Sequence, residues 1–196
     1  MKNTAILFIL FAFAACGIAQ AQSDNSVEVV YNGTSATVTV ADNISQYLTV
    51  TQQGAHVSIS QSDSVASEIT YTLSGTSTDG EFYMSGSYKA TVELNGLTLT
   101  NGTPVYSGAA VHIQNGKRIN VKVITGTVNT LVDAASGSQK GCLYVKGHAE
   151  FKQQGTLNVM GNVKHAIKAG EYISLKTPRS TLPRPWATAS RATSIS

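Results

Sequence analysis

The sequence predicts an all-β protein in which short strands wind into a parallel β-helix, a solenoid of stacked coils. Apolar and polar residues alternate from Val27 to Leu175, which is typical of strands buried on one side. No long stretch outside the N-terminal leader carries a helical period. Short segments also repeat at unequal spacings, which favours a solenoid because an insertion can protrude from one coil without disturbing its neighbours.

One repeat predicts which side chains face the core and which face outward. The segments Ala110–Ile113, Cys142–Val145 and Ala166–Ala169 share a pattern of small and aliphatic residues and begin 32 and 24 residues apart. Equivalent residues in adjacent coils should stack about 4.8 Å apart. We expect one buried ladder of Val111, Leu143 and Ile167, a second of Ile113, Val145 and Ala169, and an outward row of His112, Tyr144 and Lys168.

A second repeat concerns the turns. The segment Gly126–Asn129 matches Gly155–Asn158. This match predicts that Asn129 and Asn158 occupy equivalent corners, where Asn tolerates left-handed backbone and can hydrogen-bond neighbouring backbone.

The charge distribution argues against a nucleic-acid partner. Of 14 basic residues, four lie near the two ends of the chain: Lys2, Arg179, Arg184 and Arg191. The remaining 10 face 11 acidic residues, so residues 22–177 carry a net charge of −1. Binding to nucleic acid through a basic face is therefore not expected.

Residues 1–21 are predicted to be a secretory signal peptide. Lys2 supplies the positive start, Ala5–Ala15 is apolar, and Ala19-Gln20-Ala21 fits a cleavage site. The apolar run of 11 residues is too short to span a bilayer, so we expect no transmembrane segment. The protein is predicted to be secreted or displayed at the cell surface, and the alternative is a lipoprotein anchored through Cys16.

The middle of the chain resembles a known family. The segments that carry the resemblance are Tyr71–Gly80, Val92–Asn101, Gly108–Ile113, Gly126–Asp133 and Gly155–Val159. Together they resemble secreted bacterial proteins described as carbohydrate-binding domain-containing. The resemblance implies a right-handed, single-stranded parallel β-helix related in shape to polysaccharide lyases. It also implies binding of plant-type polysaccharides, including acidic ones, with calcium.

The resemblance covers roughly residues 35–176 and stops after Lys176. The last 20 residues hold three of the four prolines and the single Trp. We therefore expect a β-helix domain at 22–176 that is incomplete at its C-terminal end and a disordered or out-of-frame tail at 177–196, the alternative being a natural cap. An open last coil would expose unpaired backbone groups, which predicts self-association through that edge.

Catalysis is not predicted. Lyase chemistry needs clustered carboxylates beside a basic residue, and a glycosidase needs two facing carboxylates. Arg118 is the single arginine of residues 22–177, and the acidic residues are scattered except Asp79 and Glu81. Calcium binding is a separate prediction, with Asp79, Glu81 and Asp133 as candidate oxygen ligands.

The outward row is the predicted carbohydrate site. A tyrosine ring can stack on a sugar while its hydroxyl hydrogen-bonds, and lysines could pair with uronate carboxylates. The candidate residues are His112, Gln114, Tyr144, Lys146 and Lys168, with Tyr83, Tyr88 and Tyr106 as further candidates. The predicted function is non-catalytic binding of extracellular polysaccharide. The alternative is a structural or adhesive surface protein that does not bind sugar.

Overall fold

The computed structural model describes residues 22–176, which form fifteen strands and one short 3-10 helix, Asp42–Tyr47. The predicted signal peptide, residues 1–21, and the predicted tail, residues 177–196, lie outside the described residues. The strands are β1 (Ser26–Asn32), β2 (Ser35–Val40), β3 (Leu48–Gln53), β4 (Ala55–Gln61), β5 (Ile69–Ser77), β6 (Gly80–Ser85), β7 (Ala90–Thr100), β8 (Val111–Gln114), β9 (Ile119–Val123), β10 (Val128–Val132), β11 (Gly141–Val145), β12 (Ala149–Gln153), β13 (Thr156–Met160), β14 (His165–Ala169) and β15 (Ile173–Lys176).

The strands build a β-solenoid of about four turns, which confirms the predicted fold class. One sheet has the order β14-β11-β8-β6-β4-β3, and we call it the front sheet. The other runs β15-β12-β9-β7-β5-β1-β2, with β10 and β13 continuing from β7. Pairing from coil to coil is parallel throughout. None of the helices among residues 22–176 is long and apolar enough to cross a membrane.

The first coil departs from the parallel order. Strands β1 and β2 form an antiparallel hairpin, and so do β3 and β4. These hairpins were not predicted, because the alternation of apolar and polar residues does not distinguish parallel from antiparallel strands. They cover the N-terminal edges of both sheets.

The predicted ladders form one side of the hydrophobic core, and Ile167 and Ala169 are half-buried and not fully buried as predicted. Leu143 pairs with Val111 on one side and Ile167 on the other. Val145 likewise pairs with Ile113 and Ala169. Phe82 and Met84 extend the two ladders into the preceding coil, and both are fully buried. Burial of these stacked apolar side chains is the main stabilising contribution to the solenoid.

The predicted equivalence of Asn129 and Asn158 is wrong by one residue. Asn129 pairs with Leu157, and Asn158 pairs with Thr130. The turn before β10 has four residues and the turn before β13 has two, so aligning their glycines displaces the register. Asn129 is fully buried, and its side-chain oxygen accepts a hydrogen bond from the Leu97 N–H at 2.8 Å.

Candidate functional site

A row of aromatic and basic side chains runs across the outer face of the front sheet. The strand registers align Tyr83 with His112, His112 with Tyr144, and Tyr144 with Lys168. The Tyr83 and His112 ring centroids are 4.7 Å apart, and those of His112 and Tyr144 are 4.9 Å apart. The Lys168 Nζ lies 5.6 Å from the centre of the Tyr144 ring. The predicted alignment of His112, Tyr144 and Lys168 is therefore confirmed.

Tyr106 extends this row by one ring. It belongs to the loop between β7 and β8, and its ring centroid lies 5.9 Å from that of Tyr83. Its hydroxyl donates a hydrogen bond to the Thr51 carbonyl oxygen at 3.4 Å. We call Tyr106, Tyr83, His112, Tyr144 and Lys168 the aromatic row. Its length follows the solenoid axis, so the row offers an elongated surface.

Tyr83 and Tyr106 were predicted only as further candidates, outside the outward row. A usable signal was present for Tyr83, because Phe82-Tyr83-Met84 has the same apolar, variable, apolar pattern as Val111–Ile113. For Tyr106 no such signal exists, since the loop that carries it has no repeat counterpart.

His112 is enclosed between its two tyrosine neighbours. Its residue exposure is 6%, and its Nε2 lies 3.0 Å from the Gln114 Oε1. Burial lowers the pKa of His112 below its usual value, although the Gln114 contact and the Glu81 charge oppose the shift. The imidazole is therefore neutral at pH 7, and the positive charge of the row resides on Lys168.

The other predicted contact residues lie beside the row. Gln114 ends β8 and is half-buried, whereas Lys146 follows β11 and is exposed. Because Val145 pairs with Ile113, Lys146 lies level with Gln114 on the adjacent coil. Burial raises the pKa of the Tyr83 and Tyr106 hydroxyls, so both stay protonated and can donate hydrogen bonds. All five predicted residues share one face, and their role in binding stays a prediction.

Glu81, by contrast, is fully buried beneath the loop between β7 and β8. Its Oε1 accepts hydrogen bonds from the Ser107 N–H at 2.6 Å, the Ser107 hydroxyl at 3.0 Å and the Gly108 N–H at 2.9 Å. Its Oε2 accepts from the Val105 and Tyr106 N–H groups at 3.2 and 3.0 Å. Gly108 has a left-handed φ of +83°, a conformation that glycine adopts without strain. We call this arrangement the Glu81 clamp.

Asp79 holds the same loop nearer its start. Its Oδ1 accepts hydrogen bonds from the Gly102 and Thr103 N–H groups at 3.0 and 2.8 Å. His56 lies between the two carboxylates, with Nε2 3.4 Å from the Asp79 Oδ1 and Nδ1 3.6 Å from the Glu81 Oε2. These residues tie two strands of the front sheet to the loop that carries Tyr106.

Asp133 has a similar role in a later coil. It is almost fully buried, and its carboxylate accepts hydrogen bonds from the Asn162 and Val163 N–H groups. Burial raises the pKa of Asp133 above its usual value, against the effect of these hydrogen bonds. In residues 22–176 no three His, Cys, Asp or Glu side chains converge on a possible metal position. Calcium binding by Asp79, Glu81 and Asp133 stays a prediction.

By its fold and its aromatic row, the protein is a β-solenoid whose outer sheet face carries aromatic and positively charged side chains. The family described as "Carbohydrate-binding domain-containing protein" matches residues 46–182. This is more than half of the chain, and the chain belongs to this family. No curated protein matches the chain.

A solved structure supports the fold. It is described as the polysaccharide lyase-like protein from C. thermocellum, in a gadolinium derivative. The two chains are 20% identical and superpose with a TM-score of 0.60, over 76% of this chain and 58% of that one. The chain thus spans somewhat more than half the length of the solved protein, and the likeness concerns the fold.

Proposed function

We propose that the protein binds extracellular polysaccharide through the aromatic row and does not cleave it. The observation that carries the proposal is the alignment of Tyr83, His112 and Tyr144 with Lys168 at one outer face. Membership of a family named for carbohydrate binding supports it. From Tyr83 to Lys168 the row crosses three strand spacings, about 14 Å, which suits an extended chain of sugar rings.

The chemistry of the row fits a sugar polymer. The faces and edges of tyrosine rings contact the apolar C–H groups of a pyranose, and the hydroxyls serve as donors and acceptors. Gln114 and Lys146 add polar groups beside the rings. Since His112 is neutral at pH 7, the positive charge that could pair with an acidic sugar comes from Lys146 and Lys168.

The carboxylates support the non-catalytic part of the proposal. Glu81 and Asp79 already accept hydrogen bonds from the loop N–H groups. Glu93 pairs with Lys122 at 3.0 Å, and Glu150 with Lys176 at 3.1 Å. A carboxyl group acts as a general acid or base only where it can reach the substrate, and these four are engaged within the fold. Incubation with polygalacturonate should therefore yield no new reducing ends.

The Tyr144→Ala variant tests the site. Loss of one ring should weaken polysaccharide retention by about 1 kcal/mol in affinity gels, with an unchanged circular dichroism spectrum. Tyr172→Ala is the matched control, because it also removes one exposed tyrosine ring. Tyr172 is 57% exposed and is not a member of the row, and its ring centroid lies 3.8 Å from that of His148. Equal retention of wild type and Tyr144→Ala would contradict this site.

Export, calcium assistance and self-association complete the proposal. Export follows from the predicted signal peptide, or from a lipid anchor at Cys16. Calcium assistance is tested by repeating the affinity gels with and without a chelator.

Self-association is proposed through apolar surface on the last described coil, which is supplied by the exposed residues Met160, Tyr172 and Leu175. Light scattering at several protein concentrations measures the mass of the particles in solution.

The alternative is a structural or adhesive surface protein whose coils contact other proteins. This alternative predicts no retention in gels that contain any polysaccharide, and it predicts that Tyr144→Ala leaves partner adhesion unchanged. Retention by one soluble glycan would separate the two functions in favour of sugar binding.

A further inference from the structure

A groove lies at a corner of the solenoid, away from the aromatic row. It is formed by the turn between β6 and β7 and the turn between β8 and β9. Its volume is about 550 Å³, and it is lined by Ser87, Tyr88, Lys89, Lys117 and Arg118. We call it the corner groove.

Buried contacts fix the shape of this groove. Asn115 is fully buried, its Nδ2 donates to the Tyr88 carbonyl oxygen at 2.6 Å, and its Oδ1 accepts from the Lys117 N–H at 2.9 Å. One amide thus locks the two turns together. In the next coil Gly147 packs so tightly that a Cβ there would lie 2.5 Å from the Lys117 carbonyl oxygen. The backbone that carries the groove is therefore held from both sides.

The groove brings three positively charged side chains together in a part of the chain whose net charge is close to zero. Its three cations are among ten basic residues in 22–176, where eleven acidic residues leave a net charge of −1. Lys89 has a carboxylate neighbour, with its Nζ 3.8 Å from the Glu68 Oε2. Within the described part of the chain, neither Lys117 nor Arg118 forms an ion pair. Both are exposed, so their charges are available to a ligand.

We propose that the corner groove binds the carboxylate of a uronic acid residue in a polysaccharide, directly and without a bridging metal ion. The inference rests on the proposed polysaccharide binding and adds a second subsite to it. A planar guanidinium can pair with a carboxylate through two parallel N–H donors. Arg118 supplies this group, Lys117 and Lys89 supply further positive charge, and Tyr88 forms part of the wall.

The corner groove is continuous in sequence with the first site. Gln114, beside the aromatic row, ends β8, and the turn that carries Lys117 and Arg118 follows directly. A polymer segment that leaves the row along β8, past Gln114, would reach this groove. The row then contacts the sugar rings, and the groove selects chains that carry carboxylates.

The test compares trigalacturonate with its methyl ester, in which esterification removes the negative charges, by calorimetry on the full chain in the presence of a chelator. The double variant Lys117→Gln/Arg118→Gln should bind trigalacturonate about tenfold more weakly, equivalent to about 1.4 kcal/mol. Its affinity for the methyl ester should equal that of the wild type. The control is Lys140→Gln/Lys164→Gln, which removes the same charge from two exposed lysines outside the groove.

Each outcome decides a separate point. A tenfold loss confined to the groove variant and the acidic ligand supports the corner groove. The inference is overturned by an equal loss in the control variant, because the attraction would then come from net charge. It is also overturned if wild type binds both ligands equally in the chelator. Absence of binding to either ligand and to every neutral polymer would instead refute the proposed function itself.

Discussion

The Glu81 clamp and the aromatic row differ in how far the fold encloses their side chains, although Glu81 and Tyr83 are only two residues apart on β6. Glu81 and Tyr83 both belong to β6 and point to the same outer side, because side chains alternate along a strand. The loop between β7 and β8 covers Glu81 completely and leaves Tyr83 half-buried. Each carboxylate oxygen of Glu81 accepts at least two hydrogen bonds from this loop. Under the proposed function, we expect hydrogen-bonding capacity left unused by the fold, more than residue type, to distinguish a ligand-contacting side chain such as Tyr83 from a supporting one such as Glu81.

The largest effect should come from breaking the clamp. In Glu81→Gln an amide group would face backbone N–H donors, and at least two of these donors would lose their acceptor. We expect the free energy of unfolding to fall by about 3 kcal/mol, measured by urea denaturation. Glu28→Gln is the control, since Glu28 is exposed on β1. A stability equal to that of the control would show that the loop does not depend on Glu81.

The clamp also predicts how stability depends on pH. Burial alone would raise the pKa of Glu81, but hydrogen bonds from the Tyr106, Ser107 and Gly108 N–H groups outweigh it and hold the pKa below its usual value. A carboxyl group whose pKa is lower in the folded state stabilises the fold above its unfolded pKa. This contribution is lost as pH falls through the folded value.

Unfolding free energies measured at a series of acidic pH values should therefore decline below about pH 4. The decline should be shallower in Glu81→Gln, which lacks this titrating group. Parallel pH curves for the variant and the wild type would contradict the assignment. Asp133 contributes in the opposite sense, because its raised pKa makes its ionisation unfavourable to the folded state.

The smallest effect concerns the row itself. Tyr83→Ala removes a ring that contacts both His112 and Tyr106, and we expect polysaccharide binding to weaken by about 1 kcal/mol or less. The free energy of unfolding should change much less than in Glu81→Gln. Affinity gels and urea denaturation on the same samples provide the two readouts. A larger effect on stability than on binding would place Tyr83 with the supporting residues.

The ladders were predictable from sequence because three repeats fix both the spacing and the side to which each residue points. Val111, Leu143 and Ile167 had to stack once the solenoid was recognised. The Asn129 register was not predictable from matching glycines, since turn length sets the register and the two turns differ. The Glu81 clamp lay beyond sequence reasoning for another reason. Its donors come from a loop 24 to 27 residues later, which no periodicity relates to Glu81.

The two antiparallel hairpins of the first coil limit how copies of the solenoid could stack end to end. A filament of copies would require the last coil of one molecule to continue as the parallel neighbour of the first coil of the next. Strands β2 and β3 are the edge strands at that end, and each pairs antiparallel with its neighbour. A second copy stacked there would meet a different edge from the one that a regular coil presents to the next, so stacking in the regular parallel register is disfavoured at this end of the solenoid.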